Sequence, residues 1–310
     1  ETKTRWLFYR RMFFGNGGTL MDKELRMTTP QNFNSRGWFE NIGILNKKCI
    51  SILDGATSQL EAIMAFKPSV IHGFSSFLKN LAIEVQKKKI QDIRPRIIFS
   101  TAEFMSPQDR EFITSVFQAE LFDYYSCNEC GLIAWECKEH SGYHANSDNV
   151  VVEFIKENGT HAKTGEEGEI VITGLNSYTM PFIRYRLGDI GVPSSEQCPC
   201  GRTLPLIKKI IGRSNDYFIL PSGKRVYSFA LRHALRDIPG ISQFQMIQQK
   251  KDKIRVNIVK NDHFSSGALF KIEENCKRML GDSVIIDINV VEEIPNSGTG
   301  KFQAVKSELG

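Results

Sequence analysis

Short apolar runs alternate with amphipathic stretches through the first half of the chain. Residues 58–66 and 75–89 carry apolar side chains at helical spacing. The runs SVIHGF and RIIFSTAE are short and apolar and end at polar or glycine residues, as buried strands do. This alternation of helices and strands predicts an α/β fold.

Further elements follow the same logic. Ser106 before Pro107 is typical of an N-cap followed by the first helical residue, so we predict a helix that leads into the strand ELFDYYS. Closely spaced strands between residues 150 and 195 predict a β-rich subdomain. After GRSNDY the pattern becomes hairpin, helix (228–237), hairpin, helix (266–280) and strand, which predicts a separate small α+β domain.

Composition narrows the class of protein. A chain of 310 residues with 41% hydrophobic and 24% charged residues is long enough for two domains and ordinary for a soluble protein. It has neither an apolar run of about 18 residues nor a secretory signal, so we expect a cytoplasmic protein without membrane insertion. The net charge of +5 is spread along the sequence, and nucleic-acid binding is therefore not predicted.

Several short motifs have the chemistry of a nucleotide site. Asp189 follows a strand and a glycine, where a carboxylate can accept hydrogen bonds from ribose hydroxyls. In YYSCNE, Tyr124 and Tyr125 both offer stacking surfaces, Asn128 offers a donor, and Glu129 offers a hard oxygen ligand for Mg²⁺. Arg213 lies beside a glycine and two short polar residues, as an anion-binding side chain at a hinge would.

The segment SGTGK near the end of the chain has the glycines and lysine of a phosphate-binding loop. It is not a Walker loop, because Pro295 stands where that motif has its first glycine and Phe302 follows Lys301. With few residues after it in this sequence, we expect Lys301 to act on a phosphate that is held by residues far upstream.

Taken in order, STAE, YYSCNE, YRLGD, GRSND and SGTGK resemble the motifs of the adenylate-forming superfamily of acyl-CoA synthetases. The stretch from MPFIRYRLGDIG to IIGRSNDYFILPSGKRV is most similar to the phenylacetate-CoA ligase branch, which includes CapK-type proteins and coenzyme F390 synthetases. The resemblance runs from about residue 68 to the end. It implies an adenylation domain over 1–212, incomplete at its start, a hinge over 213–216 and a mobile C-terminal domain over 217–310.

The resemblance also implies roles for individual residues. Lys301 would be the adenylation lysine, Glu129 would hold Mg²⁺, and Asn215 would stand at the hinge. The nucleotide-binding residues would be Thr101, Ala102, Glu103, Tyr125, Asn128, Asp189 and Arg213. The implied substrates are ATP, a small carboxylic acid and CoA or a carrier thiol, and a homodimer is left open.

Two departures from the family pattern stand out. Ser126 and Asn128 replace the usual glycine and phosphate-binding hydroxyl of the motif around Tyr125. The Ser/Thr/Gly-rich loop that grips the β and γ phosphates in relatives does not occur in the first hundred residues. FFGNGGT could stand in for it, but its position after a helix favours a simple turn. We therefore expect a family member whose sequence begins just after the phosphate loop.

Seven cysteines, an odd number, argue against a disulfide framework and leave room for a metal site. Cys198 and Cys200, with Cys137 and His144, offer three thiolates and an imidazole, which suits tetrahedral Zn²⁺. His140 competes with His144 as the fourth ligand, and scattered free cysteines are the alternative to a structural zinc site.

The sequence thus favours an ATP-dependent ligase that activates a carboxylic acid, expected to be an aryl acid, as an acyl-adenylate and transfers it to CoA or another acceptor. A truncated or degenerate nucleotide-binding module of the same fold is the alternative. A zinc-stabilised interaction domain would explain the cysteines but not the ordered nucleotide motifs.

Overall fold

The computed structural model describes residues 2–28, 43–52, 54–213, 217–227, 231, 235, 238–295 and 302–309. The chain divides into two compact units. The larger unit comprises Glu1–Leu187 and Gly191–Ile210, and the smaller unit comprises Gly188–Ile190 and Ile211–Gly310. The main division therefore falls two residues before the boundary that the sequence predicts.

Five helices are described: α1 (Thr2–Gly15), α2 (Ala56–Phe66), α3 (Ser75–Lys87), α4 (Pro107–Phe117) and α5 (Ser266–Leu280). Helix α4 begins where the sequence indicates, because the Ser106 side chain accepts a hydrogen bond from the Asp109 backbone N–H at 3.0 Å. Most of the helix predicted over 228–237 lies outside the described residues. None of the described helices combines the length and low polarity that crossing a membrane requires.

Seventeen strands lie within the described residues. In the larger unit they are β1 (Glu24–Thr28), β2 (Lys47–Ser51), β3 (Val70–Phe74), β4 (Ile97–Thr101), β5 (Glu120–Cys127), β6 (Gly131–Glu136), β7 (Tyr143–Ala145), β8 (Val150–Ile155) and β9 (Gly168–Gly174). Strands β10 (Tyr185–Ser194) and β11 (Leu206–Arg213) complete its sheet. The smaller unit adds β12 (Tyr217–Ile219), β13 (Arg225–Tyr227), β14 (Ile241–Lys250), β15 (Lys253–Lys260), β16 (Ile285–Val290) and β17 (Val305–Ser307).

The large sheet has eleven strands in the order β2-β1-β3-β4-β5-β6-β7-β11-β10-β9-β8. Its first five strands pair in parallel, and β5 to β7 then pair in antiparallel fashion. The strands that the sequence assigns to a β-rich subdomain thus continue the same sheet, because β6, β7 and β11 connect them to its parallel half. The predicted α/β class with a small additional domain is confirmed.

Both faces of the parallel half are covered. One face packs Leu25, Ile71 and Ile98 against α2, α3 and α4 in a single apolar core. The opposite face packs Phe99 and Phe122 against aromatic and methionine side chains of α1. Strands that are buried on both faces have continuous apolar sequences, and this is why the strands of the parallel half can be recognised in the sequence.

The smaller unit is built on the β14–β15 hairpin. Strand β16 pairs in parallel with β15, β17 pairs in parallel with β14, and apolar residues of α5 join the core of this sheet. The buried Gln248 side chain accepts a hydrogen bond from the Ile219 N–H at 3.0 Å and donates one to its carbonyl at 2.8 Å. Strand β17 is absent from the sequence prediction, because three residues are too few to show a strand period.

Candidate functional site

The predicted nucleotide-binding residues of the larger unit lie where parallel strands β4 and β5 end. Thr101 is the last residue of β4, and its hydroxyl donates a hydrogen bond to the Tyr124 carbonyl at 3.1 Å. Ala102 follows with a φ of 68°, a left-handed conformation that alanine rarely adopts. Strained backbone of this kind is common at ligand sites, and ligands of α/β sheets bind at the carboxyl ends of the strands.

Glu103 is tied to the start of α3. One carboxylate oxygen accepts a hydrogen bond from the Ser76 N–H at 2.8 Å, where the positive end of the helix dipole favours a negative charge. The Ser75 hydroxyl donates to the Glu103 carbonyl at 3.2 Å. The other carboxylate oxygen is buried without a hydrogen-bond partner. Glu103 is therefore held rigidly and keeps an unused acceptor.

Asn128 and Glu129 lie in the turn between β5 and β6, just after Tyr125. Arg5 of α1 donates hydrogen bonds to the backbone carbonyls of Asn128 at 2.7 Å and Glu129 at 2.6 Å. Gly131 closes the turn with a φ of 75°, which favours glycine. Within the described residues, the Glu129 carboxylate makes no hydrogen bond or ion pair. Arg5 thus holds the turn by its backbone and leaves this carboxylate available to a cation.

Asp189 lies in β10 and Arg213 ends β11, in the parts of these two strands that group with the smaller unit. The Arg213 Nε lies 3.4 Å from an Asp189 carboxylate oxygen, so the guanidinium can orient the carboxylate. The sequence places Asp189 after a strand end, but it lies within β10. Gly188, just before it, has a φ of 73°, a left-handed conformation that glycine adopts without strain, so β10 can continue past this residue.

The predicted stand-in for a phosphate loop is the end of α1. The N–H groups of Gly17 and Gly18 donate to the carbonyls of Phe14 at 3.1 Å and Phe13 at 2.9 Å, and Gly17 has a φ of 84°. These are the two bonds of a Schellman helix terminus. Since both amides are used to end the helix, this segment is a turn, as its position in the sequence favours.

Two of the predicted site residues are not among those that the structure describes. Lys301, with the glycines before it, and Asn215 lie outside the described residues. Their roles as adenylation lysine and hinge residue stay predictions.

Cys137, His144, Cys198 and Cys200 converge in the larger unit, with all four ligand atoms within 4.8 Å of one another. Cys137 follows β6, His144 lies on the adjacent strand β7, and the other two cysteines precede β11, which pairs with β7. The Cys137 and Cys198 sulfurs are 3.6 Å apart. The His144 Nε2 lies 3.3 Å from the Cys137 sulfur and 3.4 Å from the Cys200 sulfur.

This cluster fits zinc. With Zn–S and Zn–N bonds of about 2.3 and 2.0 Å, tetrahedral geometry places the ligand atoms about 3.5 to 3.8 Å apart, close to the observed spacing. Burial, aided by the charge of Arg202, lowers the pKa of His144 and favours the neutral imidazole that a metal requires. His140 lies outside the cluster: its ring stacks on Phe122 and faces the Glu136 carboxylate at 3.4 Å.

A buried charge network under α1 has no counterpart in the sequence prediction. Glu24 is fully buried and faces the guanidiniums of Arg10 and Arg26 and the ring of His72. Burial alone would raise the pKa of Glu24, but His72 and the two arginines hold it well below its usual value. His72 is thus a buried partner of Glu24.

A second buried carboxylate lies between β5, β6 and β7. The Tyr143 hydroxyl donates to an Asp123 carboxylate oxygen at 2.8 Å, and the other oxygen is buried without a partner. Glu136 is nearby and receives two hydrogen bonds from Arg110 and faces His140. Burial and the negative charge of Glu136 raise the pKa of Asp123 to about 7.

This shift predicts a pH-dependent loss of stability. The folded state binds the Asp123 proton more tightly than the unfolded state, so its contribution is present below pH 4 and is lost as the pH rises to about 7. The free energy of unfolding of Asp123→Asn, relative to that of the parent protein, should therefore rise by on the order of 2 kcal/mol between pH 5 and pH 8. Urea unfolding at both pH values measures this difference, and Asp92→Asn, at an exposed aspartate, is the control. A constant difference between the two proteins across this range would contradict the assignment.

Several known proteins are similar in sequence to this chain. Residues 218–308 match the family model described as the CapK C-terminal domain. Phenylacetate-coenzyme A ligase of Thermus thermophilus is 24% identical over an alignment of 295 residues, and the match covers 84% of this chain and 65% of the ligase. Protein CapK of Staphylococcus aureus is 25% identical over 247 residues, which cover 78% of this chain and 53% of CapK. The predicted resemblance to the phenylacetate-CoA ligase and CapK branch is confirmed.

Solved structures agree on the fold. A 2-hydroxyisobutyryl-CoA ligase, in the postadenylation state in complex with R3-HIB-AMP, superposes with a TM-score of 0.80 at 18% identity. The superposition covers 98% of this chain and 69% of that one. The chain therefore has the fold of adenylate-forming CoA ligases over almost all of its length, while it spans only part of the length of these relatives.

Proposed function

We propose that this chain carries the nucleotide and acid chemistry of an ATP-dependent adenylate-forming ligase, which activates a carboxylic acid and passes the acyl group to CoA or another acceptor. The 295-residue sequence match to a phenylacetate-coenzyme A ligase carries this proposal. That relative's name is also the reason for proposing an aryl acid as the substrate class.

The carboxyl edge of β4 and β5 supports the proposal. Tyr125 would stack on adenine, and the Thr101–Glu103 segment, fixed by its hydrogen bonds to β5 and α3, would line the adenine pocket. In the smaller unit, Asp189 would accept hydrogen bonds from ribose hydroxyls while Arg213 orients it. Glu129 and the amide of Asn128 would face the phosphates, and Mg²⁺ held by Glu129 would neutralise phosphate charge there.

The reaction requires charge stabilisation by the protein. A carboxylate that attacks the α-phosphate of ATP generates negative charge at phosphorus, and an ammonium group aimed at that position stabilises the transition state without a proton transfer. Lys301 is proposed for this role. The resulting acyl-adenylate is a mixed anhydride, from which a thiol displaces AMP.

We also propose a structural zinc ion at the Cys137 cluster. The donor set of three thiolates and one imidazole supports it, as does the spacing of the ligand atoms. Arg202, whose guanidinium stacks on Trp135 at 5.1 Å, would offset the net negative charge of a zinc ion bound to three thiolates.

Calorimetric titration with AMP and with Mg-ATP tests the nucleotide site. We expect AMP to bind, because the residues proposed for adenine, ribose and the α-phosphate, Tyr125, Asp189 and Arg213, all lie in this chain. Asp189→Asn should weaken AMP binding about tenfold or more, since hydrogen bonds to a charged group contribute about 1.5 to 3 kcal/mol.

Asp148→Asn is the matched control, because Asp148 also pairs with an arginine, Arg11, at 2.8 Å but has no proposed role in the site. Failure of the chain to bind either nucleotide would refute the proposal.

A further inference from the structure

Two cysteines flank the turn that carries Asn128 and Glu129. Cys127 is the last residue of β5 and Cys130 immediately precedes β6, so the sequence CNEC has the Cys-x-x-Cys spacing of thiol–disulfide redox pairs. Neither thiol has a role in the proposed ligase reaction, and both cysteines are free.

The backbone brings the two side chains together. The pairing of Cys127 with Gly131 closes the turn, and the Cys130 N–H donates a hydrogen bond to the Cys127 sulfur at 3.3 Å. The turn thus brings the Cys127 sulfur against the backbone of Cys130.

A metal site does not explain the pair. Zinc in a structural site takes four ligands. Within the described ranges, the Cys137 cluster is the one place where three or more His, Cys, Asp or Glu side chains gather their ligand atoms. Cys127 and Cys130 therefore have no third ligand in the part of the chain that the structure describes.

The two thiols differ in their access to solvent. Cys127 is half-buried, whereas Cys130 is only 3% exposed. The Cys130 sulfur packs so closely on Gly174 that a Cβ added there would lie 2.8 Å from it. An external reagent would therefore reach the Cys127 sulfur first, and the buried Cys130 thiol would then react with the Cys127 sulfur.

We propose that Cys127 and Cys130 form a reversible redox pair that a low-molecular-weight disulfide oxidises. The Cys127 thiolate attacks one sulfur of the reagent, forms a mixed disulfide and releases one thiolate. The Cys130 thiolate then attacks the Cys127 sulfur and releases the second thiolate. Two protein thiols become one disulfide, the reagent accepts two electrons, and the two protons end on the released thiolates.

Oxidation reaches the nucleotide site through the turn. The new bond replaces the hydrogen bond between the Cys130 N–H and the Cys127 sulfur, and Arg5 holds the carbonyls of the two residues between them. The position of the Glu129 carboxylate then depends on the redox state. An effect of oxidation on nucleotide binding rests on the proposed function, whereas formation of the disulfide does not.

Peptide mapping tests the disulfide. The protein is treated with oxidised glutathione, alkylated, denatured and cleaved after glutamate, which cuts at Glu129 between the two cysteines and at Glu136 before Cys137. We expect the Cys127 and Cys130 peptides to remain linked until a reductant is added. Cys130→Ser should carry glutathione on Cys127 instead, and Cys49→Ser, at another half-buried cysteine, should behave as the parent protein. Unlinked peptides, or a Cys127 link to Cys137, would overturn the proposal.

Titration of the oxidised and reduced protein with AMP tests the effect on the site. We expect the affinities to differ about tenfold, within the range of coupling between linked sites, and the difference to vanish in Cys130→Ser. Equal affinities would overturn the regulatory role. If neither form bound AMP, the proposed nucleotide function would fail, whereas linked peptides would still establish the redox pair.

Discussion

Cys200→Ser is expected to lower the melting temperature by about 10 °C or more and to abolish binding of one zinc ion per chain. The cluster joins the loop after β6, strand β7 and the loop before β11. Without metal, β7 would stay paired with β6 and β11, but only weak thiol contacts would join the loops that carry Cys137, Cys198 and Cys200. Elemental analysis of protein purified without added metal, followed by thermal unfolding, measures both effects.

The matched control is Cys49→Ser, since Cys49 and Cys200 are both half-buried and Cys49 lies outside the cluster. A chelator should destabilise the parent protein and the control equally and leave Cys200→Ser unchanged. Nucleotide affinity should change much less than stability. Protein without metal, whose four side chains all react with thiol or imidazole reagents, would show that the cluster is not a zinc site.

Lys301→Ala is expected to slow acid-dependent exchange between ATP and pyrophosphate by on the order of 10² or more in the full protein, because one well-placed charge contributes a few kcal/mol to a transition state. Formation of the thioester from supplied acyl-adenylate and CoA should persist, since the lysine is proposed to serve only the first half-reaction. Both rates are measured on the same preparation.

Lys306→Ala, an exposed lysine in β17, controls for the loss of a positive charge near the C-terminus and should leave both half-reactions unchanged. If Lys301→Ala reduced adenylation and thioester formation together, a role confined to adenylation would be wrong.

The α/β class and the bounds of several elements follow from local sequence. The buried strands β3 and β4 show continuous apolar runs, and α5 is found exactly where its amphipathic period predicts it. The Ser106 N-cap is also predictable from local sequence, because its partner is the backbone of Asp109, three residues away. Interactions that span few residues leave a pattern that can be read directly.

The order of the motifs also indicates the family, and the spacing of cysteines indicates a candidate ligand set. The sequence leaves His140 and His144 as alternatives, however, and strand pairing separates them: β7 lies between β6 and β11 and carries His144 into the cluster, while the His140 ring turns to Phe122. His140 and His144 are only four residues apart, and their local sequence does not show which of the two side chains faces the cysteines.

Contacts between distant segments were decided by the tertiary structure alone. Arg5 reaches the carbonyls of Asn128 and Glu129, more than 120 residues away, and Glu24 is buried among Arg10, Arg26 and His72. Arginine and glutamate are ordinary surface residues, so nothing in their local pattern marks these as buried or bridging. Their roles arise because the packing of α1 on the sheet removes them from water, where each charge needs a partner.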